Sequence, residues 1–253
     1  MKKIIIANWK MNPRTASEVK MLARAVTEGV KKIKNMEITL CPPFLFVSAV
    51  KKIIANKKNI KLGAQNVFSE KAGAFTGEIS ATQLKSIGVG LVIVGHSERR
   101  ALGESKEIIN KKLRCALEGG LNAVLCIGEK EKSKEGLSGI IREELYSAIK
   151  GIKKSLLLNK LIIVYEPIWA ISTNPGSEPD DPQNVYETTI LLKRDLLKIL
   201  GRRAASQIPI LYGGSVNEKN VVGFKKSGID GFLVGSASLN AGKFIKIVKF
   251  AAL

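Results

Sequence analysis

Eight short apolar runs punctuate the chain at nearly even intervals, and between them hydrophobic side chains recur with helical spacing. The runs are Lys3–Asn8 (KIIIAN), Ile38–Cys41 (ITLC), Ile60–Ala64 (IKLGA), Leu91–Val94 (LVIV), Ala123–Ile127 (AVLCI), Leu161–Tyr165 (LIIVY), Ile208–Tyr212 (IPILY) and Gly231–Val234 (GFLV). Most are apolar at every position, the pattern of parallel strands covered on both faces. The intervening SEVKMLARAVTEGVKKI, ESKEIINKKLRCALEGG and VYETTILLKRDLLKIL carry the 3.6-residue period of amphipathic helices. The second begins with acidic residues and stops at Gly119–Gly120, and the third closes at Gly201, as helix boundaries prefer. An open doubly wound sheet would place a glycine-rich phosphate loop after its first strand. Here the first strand runs into NWKMNP, which has no glycine. The pattern therefore predicts an α/β chain with one (β/α)8 barrel domain over residues 1–253.

Composition narrows the picture without redirecting it. The 45% hydrophobic content is enough for a sizeable core. No apolar stretch is long enough to span a bilayer, and the opening MKKIIIANWK has too short an apolar run for a secretory signal. Cys41, Cys115 and Cys126 are odd in number, widely spaced and without a CxxC pair, so they read as reduced thiols of a cytoplasmic protein. The net charge of +19 raises the question of a polyanionic partner. The lysines are scattered among aliphatics, and aromatics are only 6%, too few for a base-stacking platform; nucleic acid is not the expected partner.

In such a barrel the chemistry sits at the carboxyl ends of the strands. Asn8 and Lys10 follow the first strand, Gln65 and Asn66 the third, and His96 the fourth, within GHSERR. Gly128–Glu129 follow the fifth and Glu166 the sixth; Gly213–Gly214–Ser215 and Gly235–Ser236 follow the last two. His96 is the only histidine, and a lone histidine among scattered cysteines has none of the spacings a zinc site needs, so no metal is expected. No G-x-S-x-G elbow supports a hydrolase. A carboxylate, an imidazole and an ammonium, with glycines offering N–H groups to a phosphate, suit proton abstraction beside a carbonyl without any cofactor. Glu166 then raises a puzzle, because a buried strand ends on a carboxylate and is followed by Pro167, Ile168 and Trp169, where a surface loop is expected.

The stretches ANWKMN, GAQN, GAFTGE, VGHSERR, CIGE, YEPIWAI, LYGGSV and GFLVGSASL, in this order along the chain, resemble the triosephosphate isomerase family. The resemblance implies a TIM barrel, interconversion of dihydroxyacetone phosphate and D-glyceraldehyde 3-phosphate in glycolysis and gluconeogenesis, and a homodimer. It implies Glu166 as the base, His96 as electrophile, and Lys10, with Asn8 beside it, as charge partner. This family is itself the standard case of a neutral histidine electrophile at a helix N-terminus. Residues 167–176 correspond to the family's lid, itself a standard example of such closure. It takes in Pro167, Ile168, Trp169, Ala170, Ile171, Thr173 and Asn174, with Trp169 anchored near Tyr165 and Glu129, and Ile171 closing with Leu233 over Glu166. The phosphate would be held by backbone N–H groups of Ser172, Ser215, Gly235 and Ser236, with Glu98, Cys126 and Tyr212 in support. Thr76, in GAFTGE, would reach Asn8 and Glu98 of the partner subunit.

Two departures stand out. The lid reads AISTN where the family commonly has AIGTG, and Gly235–Ser236 replaces a Gly-Gly pair; altered lid kinetics or a shifted Michaelis constant is expected. Two rival readings are another phosphate-binding barrel, such as an aldolase or sugar-phosphate isomerase, and a basic polyanion-binding protein. The first would want a Schiff-base lysine at a mid-barrel strand end, or metal ligands; the sequence offers neither.

Overall fold

The structure is a computed structural model, and it describes residues 2–131, 139–171, 177 and 180–253. Eight parallel strands close into a barrel in sequence order, β1 (Lys3–Asn8), β2 (Met36–Cys41), β3 (Ile60–Ala64), β4 (Leu91–Val94), β5 (Asn122–Ile127), β6 (Leu161–Tyr165), β7 (Ile210–Tyr212) and β8 (Gly231–Val234). The ring closes where β8 pairs with β1, Leu233 against Ile6.

The strands are apolar throughout because their two faces serve two cores. Ile6, Cys41, Leu91, Ile93, Val124, Cys126, Ile162, Val164, Leu211 and Leu233 pack together inside the barrel. The alternate positions, such as Ile5, Ala7, Val92, Val94, Leu125 and Ile163, join the larger core beneath the surrounding helices. That is the period-two alternation of a strand with both sides buried.

Several boundaries differ from the pattern reading. β2 starts two residues early, at Met36, and β5 one residue early, at Asn122. β7 starts at Ile210 instead of Ile208, because Pro209 has no N–H to give the ladder. The first helix, Ala16–Gly29, stops at the Val30 cap short of Ile33, and the helix Pro182–Leu200 begins earlier than Val185, with Asp181 as N-cap and proline in its first turn.

Candidate active site

The inward-facing period carries past the strand ends and selects what enters the mouth. Ile4 and Ile6 lead to Asn8, Ile162 and Val164 to Glu166, Leu211 to Gly213, and Leu233 to Gly235. All four line a cavity of about 410 Å³ at the carboxyl end of the barrel, together with Lys10, His96, Ile171, Ser215 and Ser236. Lys10, His96 and Glu166, far apart in sequence, thus share one opening.

Glu166 is buried, only 3% exposed, and both carboxylate oxygens are occupied. His96 Nε2 lies 3.0 Å from Oε1, and the Ser97 N–H donates to Oε2 at 3.1 Å. His96 is the N-cap of the short helix Ser97–Ala101, and its Nδ1 accepts the Glu98 N–H at 3.2 Å. A ring nitrogen that accepts an N–H must be unprotonated, so a neutral ring carries its one proton on Nε2, facing Glu166. The helix start thereby fixes the tautomer.

Lys10 has φ 54°, left-handed for a residue with a side chain. Its N–H donates to Asn8 Oδ1 at 3.1 Å, and Gln65 Nε2 donates to both the Lys10 and Cys41 carbonyls at 2.8 Å. The strained backbone is held from both sides, and it aims the ammonium into the cavity. Glu98 Oε1 meets Lys10 Nζ at 2.6 Å within this same chain.

The puzzle of the loop after β6 resolves around Glu129, a buried carboxylate. Glu129 Oε1 accepts from the Tyr165 hydroxyl and from Trp169 Nε1, each at 2.9 Å. The tryptophan is half-buried and its polar edge is bound, which ties the short turn Ile168–Ala170 to the loop after β5. Ile171 and Leu233 both line the cavity beside Glu166. Ser172, Thr173 and Asn174 lie outside the described residues, so the expectations about the lid tip are left to experiment. Ser215 lines the cavity, and its N–H and hydroxyl both donate to the Ala170 carbonyl, at 3.2 and 2.7 Å. Thr76 is exposed between β3 and the next helix.

A buried network fixes the loops behind the site. Arg100 Nη1 pairs with Glu144 Oε1 at 3.1 Å, and Arg100 donates to the Gly95 and Cys126 carbonyls. Glu144 Oε2 accepts the Gly128 N–H. A Cβ on Gly128 would strike the Glu166 carbonyl, so glycine is required where these two loops touch. Cys126 sits beneath Glu166; burial, and then the Glu166 charge, hold its thiol well above the usual range. Tyr212 packs on Phe224 with its hydroxyl against Gly214, and burial pushes its ionisation up. Arg100, Glu144 and Lys243 were not singled out by the sequence reading as site residues, because their places depend on register, whereas Gln65 was noted at its strand end and a helix start was expected near Ser97.

Among the described residues no three His, Cys, Asp or Glu side chains are grouped as a metal would require, and no helix is long and apolar enough to cross a membrane. Fold and cavity together define a (β/α)8 barrel with ionisable groups gathered in one opening at the carboxyl ends of its strands, and the relatives place it among isomerases. The family model for triosephosphate isomerase matches residues 3–251. Triosephosphate isomerases of Dehalococcoides mccartyi (strain CBDB1), Aquifex aeolicus and Carboxydothermus hydrogenoformans are 43%, 41% and 40% identical to the chain. The alignments cover 100%, 98% and 98% of this chain, and 98%, 99% and 98% of those proteins. The chain belongs to the triosephosphate isomerase family.

Proposed function

We propose that the protein interconverts dihydroxyacetone phosphate and D-glyceraldehyde 3-phosphate by moving one proton between adjacent carbons, with Glu166 as the base. The observation that carries this is the 3.0 Å approach of His96 Nε2 to Glu166 Oε1 in a cavity shared with Lys10. A substrate carbonyl entering between them takes over the Nε2–H and frees the carboxylate to take the neighbouring carbon's proton. The imidazole then donates to the oxygen where negative charge develops, with the ammonium of Lys10 beside it. Closure of the apolar lid, with Ile171 joining Leu233 over Glu166, removes water from the carboxylate and strengthens it as a base. The phosphate is held by backbone N–H groups after β7 and β8, that of Ser215 becoming available when it leaves the Ala170 carbonyl.

The functional unit is a homodimer in the cytoplasm. Support for pairing comes from Met11, Leu45, Phe75 and Leu102, apolar side chains exposed on the loops after the first four strands. Thr76 stands on the same side and would complete the partner's site. A coupled isomerase assay on the wild type and on Glu166→Asp tests the reading. Shortening the base by one methylene is expected to lower kcat by at least about 10²-fold with little change in KM. Equal activity in the two proteins would refute Glu166 as the base.

A further inference from the structure

Among the described residues three charged side chains line the cavity, Lys10, Glu166 and Lys243. Lys10 and Glu166 cancel each other, and Glu98 sits on Lys10 Nζ at 2.6 Å. Without a further cation these groups sum to a negative charge, which opposes a substrate that carries nearly two negative charges near neutral pH. Lys243 offsets that excess. Among the described residues its ammonium has neither an ion-pair nor a hydrogen-bond partner. Its backbone is anchored at the cavity rim, where the Lys243 N–H donates to Oδ1 of the N-cap Asn240 at 3.0 Å, in the first turn of the helix Ala241–Ala252. Asn240 also lines the cavity, beside the Gly235–Ser236 end and the turn Ser236–Leu239.

We infer that Lys243 is a specificity-determining residue for the phosphate end of the substrate, an electrostatic clamp over the N–H groups that follow β7 and β8. The inference rests on the proposed function for the identity of the substrate but not for the existence of the anion site. Lys243 is exposed, so its attraction acts through solvent and is screened within about 8 Å at physiological salt. Its contribution is correspondingly modest, an affinity factor of about 3–10 for a phosphate dianion.

The experiment compares wild type with Lys243→Met, which keeps the alkyl stem, with Lys243→Arg and with Lys243→Glu. Inorganic phosphate is titrated by calorimetry, and isomerisation is measured with phosphorylated and unphosphorylated glyceraldehyde at low and high salt. Expected are a threefold to tenfold weaker phosphate Kd and higher KM in Lys243→Met, a larger loss in Lys243→Glu, recovery in Lys243→Arg, and differences that shrink in high salt. Equal losses on the two aldehydes would mark a merely structural effect and overturn the inference, as would phosphate affinities that do not differ among the four proteins. If the wild type failed to isomerise triose phosphates, the proposed function would fall, while the calorimetric comparison would still decide the role of Lys243.

Discussion

Replacing Arg100 with methionine should expose how strongly the loops behind the catalytic mouth depend on one buried cation. Its side chain is 16% exposed and that of its partner Glu144 only 9%. The change removes the 3.1 Å ion pair and the donors to the Gly95 and Cys126 carbonyls, leaving the Gly128 N–H as the donor to the Glu144 carboxylate among the described residues. A buried pair broken on one side costs about 3–5 kcal/mol, whereas an exposed pair costs about 1 kcal/mol or less. The expected loss for Arg100→Met, read from urea unfolding at neutral pH, is about 3–5 kcal/mol. Burial already raises the Glu144 pKa in spite of Arg100, and removing the arginine raises it further. A carboxylate with a raised folded-state pKa is a cost above that value, and the cost fades as pH falls toward the ordinary 4.5. The deficit should therefore be greatest at neutral pH and shrink on acidification. Adding Glu144→Leu to the variant should recover about 1–3 kcal/mol by removing the stranded charge. A deficit under about 1 kcal/mol, or one that does not vary with pH, would refute the account of this network.

Gly128→Ala sets a methyl group against the Glu166 carbonyl; a displacement of about 1 Å in the base should lower kcat by about 10²-fold, measured in the coupled assay. Trp169→Phe removes one of two donors to Glu129 and should destabilise the protein by about 1 kcal/mol in urea unfolding, with the Tyr165 bond retained. Burial pushes Glu104 up, but bonds from Lys112 and Arg99 outweigh it and leave its pKa below 4.5. The stability it contributes is present above that pH and lost as pH falls through the lowered folded-state value, so the gap between wild type and Glu104→Gln should close on acid titration.

The strands were legible because two buried faces make a continuous apolar run, and β1, β3, β4, β6 and β8 begin and end where that run does. β2 hid its start because Glu37, which pairs with Lys61 on the neighbouring strand, reads as a loop residue until the register is known. Lys10, His96 and Glu166 could be nominated from strand ends, since an ionisable group directly after a buried strand has few other reasons to be there. Arg100 and Glu144 could not, because 44 positions separate them and only the pairing of β4 with β5 brings their two helices together. Lys243 was hidden by abundance, one lysine among many until a cavity gave it a direction. The donors to Glu166 were half visible, as His96 announced itself and a helix start was expected near Ser97, but not that the Ser97 N–H would reach Glu166.

The bond between imidazole and carboxylate works as a safety catch on the mouth. The carboxylate is held under the ring N–H, so a molecule with no oxygen to offer that proton meets a carboxylate already engaged. Only a guest that offers an oxygen to the ring proton, and stays long enough to keep it, can separate the two and arm the site. Discrimination then begins with the exchange of one proton donor, before any carbon–hydrogen bond is at stake.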